Sequence, residues 1–280
     1  MTAVSGVSEL ANLIPEIWSP LIYAELRNQL MIADVFNHDY EGEIRNMGDT
    51  VRVNTILAPS GQILTDDKQS FETEAFQVTQ QSITVNKRAV AAFEFTDLAQ
   101  LQSMAFEQDA REALVYALRK QIETSVLAAL IPSASAPNHQ IAPASASDLA
   151  AVDVATMRTL LSLAKVPKMN RYLFLDPNYY GDLLNKTTFT SSDFIQNNGA
   201  VSSGEFASPL YGFRIAESDF LGTDIGYAIH PSALTMVMQQ SLRMKISDLH
   251  GQKNFGYVMS ADLVFDYKLM DNTRIVKISG

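Results

Sequence analysis

Between Thr96 and Ile131 the chain contains neither glycine nor proline, and Leu114, Leu118, Ile122, Val126 and Leu130 follow one another at every fourth position. That spacing sets the apolar side chains on one helical stripe, in a segment rich in the strong helix formers Ala, Leu, Gln, Glu and Arg. Thr96 or Asp97 is the natural N-cap. A short helix over Asp97–Gln102, kinked at Ser103, is expected to lead into a main helix from about Met104 to Leu130, roughly 40 Å long at ~1.5 Å per residue. Glu107 with Arg111, and Arg119 with Glu123, are spaced for i,i+4 pairs and are predicted on the wetter side of this helix.

Elsewhere the period drops to two. After the Gly48-Asp49 turn, Thr50–Leu57 alternates with Val51, Val53 and Thr55 on one face, and strand character resumes over Phe76–Val85 and Ala89–Phe95. The intervening Ala58–Ala75 is polar and acidic, and longer than the ~12–15 residues usual for a loop inside a compact domain. Together these runs predict a long β-hairpin with a polar tip, which has too little core to stand alone and needs a partner to pack on. Upstream, Leu13–Phe36 is amphipathic, with Trp18, Leu21, Ile22, Leu26, Leu30 and Val35 as anchors, but Pro15 and Pro20 forbid one long helix. The expectation is an extended arm, a helix over about Leu21–Leu30, and a polar turn at Asn37–Gly42.

Pro132 ends the long helix, and the small, proline-containing stretch 133–147 marks a subdomain boundary. Beyond it, Val152–Lys165 reads as a helix with Val154, Met157, Leu160, Leu161 and Ala164 inward. Tyr172–Leu175 is a strand and Pro177–Asn185 a short helix. Phe213–Ala216, Ile225–Ile229 and Leu234–Gln239 are further strands, and Leu242–Ile278 is mostly β. The order of elements predicts an α+β protein with no internal repeat.

Composition narrows the function. A chain of 280 residues that is 47% hydrophobic can bury a sizeable core, as one large domain or two intimately packed ones. Its 31 acidic against 21 basic residues give a net charge of -10, which argues against a protein that grips nucleic acid by neutralising phosphates. Cysteine is absent, so disulfides and thiolate metal sites are excluded. No stretch nears the ~20 apolar residues of a membrane span, and Met1–Leu13 lacks the pattern of a secretory signal.

Catalytic patterns are equally thin. His38, His139, His230 and His250 are scattered, without the i,i+4 spacing that puts two metal ligands on one helix face. Ser162 and Lys165 match Ser-x-x-Lys but lack the companion motifs of a penicillin-binding site, and Lys165 is better read as a cation at a helix C-terminus. Asp66, Asp67, Glu72 and Glu74 cluster without EF-hand spacing, as a solvated hairpin tip does. No phosphate loop or nucleophile elbow occurs, so an α/β enzyme unit over Val152–Gln239 has no chemistry to offer. No cofactor or metal is expected.

Several strings, in order, resemble the tailed-bacteriophage major capsid family, whose fold encapsulin shells share. Ile14-Pro15-Glu16-Ile17-Trp18 with Leu26–Val35 resembles the family's arm, and Tyr40-Glu41-Gly42 to Gly48-Asp49-Thr50-Val51 its passage into an extended loop. Arg171–Pro177 with Tyr180 and Leu183-Leu184 is similar to the axial-domain strand, proline turn and helix. Gly212-Phe213-Arg214-Ile215 with Glu217-Ser218, and then His230-Pro231-Ser232-Ala233, resemble the passages that follow.

The resemblance implies an N-terminal arm (1–49), an extended β-hairpin loop (50–95), a peripheral domain with spine helix and connector (96–150), a mixed α/β axial domain (151–241), and a β-rich return (242–280) whose last strand joins either domain. It implies a structural virion protein, not an enzyme. Its copies would form hexamers and pentamers of an icosahedral head around double-stranded DNA, without sequence-specific binding or membrane contact, assembled in host cytoplasm. Scaffolding, portal and decoration proteins are the partners such a head can take; no long extension precedes the arm, so any scaffold would be a separate protein. The subunit-interface candidates on arm and loop are Trp18, Leu21, Leu26, Ile63, Asp66, Asp67, Lys68 and Phe71. Lys68 and Asn272 stand nearest the lysine and asparagine that some relatives crosslink, without an assignable glutamate partner. An encapsulin-like compartment shell is the alternative.

Overall fold

The computed structural model describes residues 31–40, 50–56, 59–66, 70–96, 106–145, 148–186, 206, 209–238, 243–248 and 256–280. In chain order the elements are α1 (Ile32–Val35), β1 (Thr50–Ile56), β2 (Val78–Thr84), β3 (Lys87–Thr96), α2 (Phe106–Ala129), β4 (Gln140–Ile141), α3 (Ala151–Leu163), β5 (Arg171–Leu175), α4 (Pro177–Asn185), β6 (Phe213–Glu217), β7 (Ile225–Ile229), β8 (Leu234–Met238), β9 (Arg243–Asp248), β10 (Gly256–Leu269) and β11 (Ile275–Ser279). Short 3-10 turns at Pro231–Ala233 and Asn272–Arg274 precede β8 and β11. The expected arm helix at Leu21–Leu30 and the short helix at Asp97–Gln102 lie outside the described residues.

α2 is the long helix that the four-residue ladder predicts: Leu114, Leu118, Ile122, Val126 and Leu130 are all buried. They pack on an antiparallel sheet in which β10 pairs with β3 along one side and with β8 and β9 along the other. Asp262 of β10 joins its two neighbours through Nε of Arg88 (2.6 Å) and Nη2 of Arg243 (3.0 Å). Burial alone would push the Asp262 carboxyl up; the two guanidinium groups outweigh it and hold its pKa below the ordinary carboxylate value. A depressed acid stabilises the fold above its unfolded-state pKa and loses that contribution as pH falls through its folded-state value. Asp262→Asn is therefore expected to lower stability modestly at neutral pH, with the gap from wild type closing in acid; urea unfolding at several pH values measures it.

A second, five-stranded sheet has the order β4-β11-β7-β5-β6. β5 is buried on both faces, which fits its unbroken apolar run: Leu173 and Leu175 meet Val154, Met157 and Leu161 of α3 and Tyr179 and Leu183 of α4, while Phe174 enters the core under α2. α4 starts as its sequence dictates, with Pro177 at the first turn and the Asp176 carboxylate accepting the Tyr179 N–H at 3.2 Å. α3 ends with the Val166 N–H on the Leu161 carbonyl and Lys165 at positive φ, a Schellman-type closure. Ser162 donates to the Arg158 carbonyl and accepts from Arg171, so the Ser-x-x-Lys match is the end of a helix.

The chain passes from one sheet to the other at 230–233 and again at 270–274. There the His230 N–H donates to the Arg274 carbonyl and the Met270 N–H to the Ala233 carbonyl. β8 thus leaves the residues before it and joins β10, while β11 returns to lie between β4 and β7.

Candidate assembly surface

β1 and β2 pair antiparallel from Thr50↔Thr84 to Ile56↔Val78 as a separate two-stranded sheet. Its base is held by alternation: Val51, Val53, Ile83 and Val85 point inward and pack on Val237 and Val264 of the four-stranded sheet. The pairing is narrower than the sequence suggests, because β3 leaves the hairpin after Asn86 and runs along β10.

Beyond the strands, residues 59–66 and 70–77 carry no regular secondary structure and are exposed. Side chains join the two sides of the loop. Gln62 bonds residue 72 at both ends of its amide, taking the Glu72 N–H at 2.9 Å and donating to the Glu72 carbonyl at 3.1 Å, as a strand neighbour would. The Glu74 carboxylate accepts the Ser60 N–H and hydroxyl. On this frame Ile63 is 90% exposed, Phe76 76% and Phe71 69%, with Leu64 and Val78 also open. These large apolar side chains leave one loop with an unusual amount of exposed hydrophobic surface.

Of the predicted interface residues, Ile63, Asp66 and Phe71 are exposed on this loop. Asp67 and Lys68, and the arm residues Trp18, Leu21 and Leu26, lie outside the described residues. Leu64, Phe76 and Val78 were not singled out by the sequence reading. Val78 could have been, since strand alternation puts it on the same face as Gln80, Ser82 and Thr84.

Residues 31–37 are bound to the core of their own chain. Ile32, Ala33 and Phe36 are buried in the core under α2, and Asn37 bridges to Thr235 of β8. The anchor is Glu123. Its Oε1 accepts the N–H groups of Met31 (2.7 Å) and Ile32 (3.2 Å), and its Oε2 that of Ala33 (3.2 Å). α1 has no side-chain cap of its own, so a carboxylate some 90 residues away in sequence supplies it. This corrects the expected Arg119–Glu123 surface pair: Glu123 is fully buried. Burial pushes its pKa up, against the opposing pull of the three N–H groups and Arg119.

Among the described residues no three His, Asp or Glu side chains converge to hold a metal ion, and no helix is long and apolar enough to cross a membrane. Each histidine that is described has a local partner. His139 Nδ1 lies 3.0 Å from the Ile275 carbonyl, His38 Nε2 3.0 Å from the Ala33 carbonyl, and His230 Nδ1 2.7 Å from the Ser232 hydroxyl.

The arrangement of hairpin, spine helix and two sheets is shared with known structures. A structure from Mycobacterium phage Che8 is 22% identical, with a TM-score of 0.72 over 89% of this chain and 91% of that one. The capsid of cyanophage P-SCSP1u is 15% identical, with a TM-score of 0.67 over 89% and 88%. A virus-like particle from Pyrococcus furiosus is 12% identical, with a TM-score of 0.61 over 95% and 99%. These likenesses establish the fold. No curated protein matches the chain in sequence. A family model described as phage capsid protein does match, over residues 78–264, a span that runs from β2 through α2 and into β10 and leaves out β11. With that match across most of its folded body, the chain belongs to the phage capsid protein family.

Proposed function

We propose that this chain is the major capsid protein of a tailed bacteriophage. Its copies close into hexamers and pentamers of an icosahedral head that encloses double-stranded DNA, with the shell assembled in host cytoplasm and carried in the virion. On this reading residues 1–49 are an arm, the part of the expected 50–95 loop that precedes β3 is the extended loop, and the four-stranded sheet with α2 and the five-stranded sheet with α3 and α4 are the peripheral and axial domains. The chain does no catalysis; scaffolding, portal and decoration proteins are the partners such a head would use.

The observation that carries the reading is the exposed apolar side chains beyond the strands of the hairpin. Ile63, Phe71 and Phe76 sit in water, although burying a side chain of this size is worth about 1.5–3 kcal/mol. A neighbouring copy supplies the missing surface, and many such modest contacts in a closed ring add through effective concentration. Deletion of residues 60–73 tests this. The variant is expected to keep the thermal transition of the core while electron microscopy finds no closed particles; closed shells at wild-type yield would overturn the role of the loop. A compartment shell is the second reading, since a virus-like particle from Pyrococcus furiosus shares the fold. Particles purified with protein cargo in place of nucleic acid would support it.

A further inference from the structure

The strand registers sort the charges of the five-stranded sheet onto its two ends. β5 and β6 are parallel, with Arg171 opposite Phe213, whereas β7 runs against both β5 and β11. One end therefore gathers Arg171 and Arg214 from the start of β5 and β6, and Arg274 and His230 beside the meeting ends of β11 and β7. The C-terminal part of α3 folds onto the same end, because Arg171 donates to the carbonyls of Arg158, Val166 and Pro167. That brings in Arg158, Lys165 and Lys168; from Arg158 to Leu175 the sequence has no acidic residue. Asp271 is an acid at this end and is bound to Arg274.

The opposite end is acidic. Asp176 follows β5, Glu217 ends β6 with Asp219 just beyond, and Asp224 precedes β7; from Ile215 to Leu242 there is neither lysine nor arginine. The ends are tied closely: the Ser218 N–H donates to the Leu175 carbonyl, the Asp176 N–H to the Ile225 carbonyl, and the Asp224 N–H to the Asp176 carboxylate at 3.0 Å. Crowding of like charge registers in buried neighbours. The Tyr179 hydroxyl is pushed up to about 12 by burial and by Asp224, Asp176 and Asp153. Arg171 is lowered by burial and by Arg158, and His230 by burial, Arg274 and Arg171.

We infer that these ends are the two halves of a head-to-tail contact, the basic end of one copy taking the acidic end of the five-stranded sheet in the next. One chain carries both halves, at opposite ends of one rigid sheet, which is what a heterologous contact that closes into a ring requires. Lys165, Lys168, Glu217 and Asp219 are exposed and give the contact its steering and register. The inference rests on the self-assembly proposed above and adds the pairing of surfaces.

The test is a charge swap in the full chain. Lys165→Glu with Lys168→Glu, or Glu217→Lys with Asp219→Lys, is expected to raise the concentration for half-assembly roughly tenfold and to change its salt dependence. Mixing the two double variants, each with its unaltered end facing the other's unaltered end and its reversed end facing the other's reversed end, is expected to recover even-membered rings in which they alternate, but not five-membered rings, which keep one mismatched contact. Unchanged circular dichroism keeps a folding defect apart from an assembly defect. Wild-type assembly by both double variants would overturn the pairing and leave the shell proposal standing, whereas a wild-type chain that never assembles would sink both. Normal shells from the lysine variant, stripped of co-purifying nucleic acid, would overturn the pairing in favour of a phosphate-binding end.

Discussion

Glu123→Ala is expected to release residues 31–37 from the spine helix and to cost about 3–5 kcal/mol. The first N–H groups of α1 would lose their acceptor, each at about 1–3 kcal/mol where water cannot replace it. Glu123→Gln separates charge from hydrogen bonding. Its remaining oxygen can still take the Met31 and Ile32 N–H groups, so it should retain much of the stability and lose mainly the bond to Ala33. The pH dependence should differ too. Because the folded-state pKa of Glu123 is raised, the folded protein holds that proton more tightly than the unfolded chain does, and the residue's contribution falls as pH rises from the ordinary carboxylate value through the raised one. Denaturant midpoints across that window should decline for wild type and stay flatter for the glutamine variant. Equal stability of wild type and Glu123→Ala would show that the arm end is held by Ile32, Ala33 and Phe36 alone.

Glu123 also shows where sequence reading stops. The ladder from Leu114 to Leu130 is visible because its period is local, and every member is buried as expected. A glutamate four residues after Arg119 carries the local mark of an exposed pair, and nothing near it reveals three backbone donors about 90 residues upstream. The same limit applies to the sheets. Leu234–Met238 and Ile275–Ser279 are strands on apolar content alone, but their partners are fixed by chain crossings that leave no periodic trace. The exposed tip was legible through its polar composition, and Ile63 and Phe71 stood out against it. Phe76 did not, because a phenylalanine at the head of a strand pattern looks the same whether it faces a core or water. The charge separation of the five-stranded sheet is present in the sequence as an acid-free and a base-free stretch, yet it becomes an axis only when parallel β5 and β6 and antiparallel β7 are in register.

Phe174→Ala is expected to be the other large effect, because this ring crosses the boundary between the sheets. Its neighbours Leu173 and Leu175 point to α3 and α4, whereas Phe174 lies in one apolar cluster with Leu114, Leu118 and Ile122 of α2 and with Met236 and Leu263 of the four-stranded sheet. Tyr227, Ile229 and Ile275 reach the same cluster from β7 and β11. A continuous core of this kind predicts that both sheets unfold together. Removing a buried phenylalanine ring costs about 3–5 kcal/mol through lost transfer energy and the cavity left behind. A loss of this size at the boundary, rather than within either sheet, should also weaken cooperativity and separate one unfolding transition into two. Leu173→Ala gives the contrast. It should cost about 2–5 kcal/mol while keeping a single transition, since its cavity opens on the far side against α3. Calorimetry distinguishes them: a single sharp transition in Phe174→Ala, shifted no more than in a surface variant, would mean that the sheets are coupled by the crossings at 230–233 and 270–274 and not by the shared core.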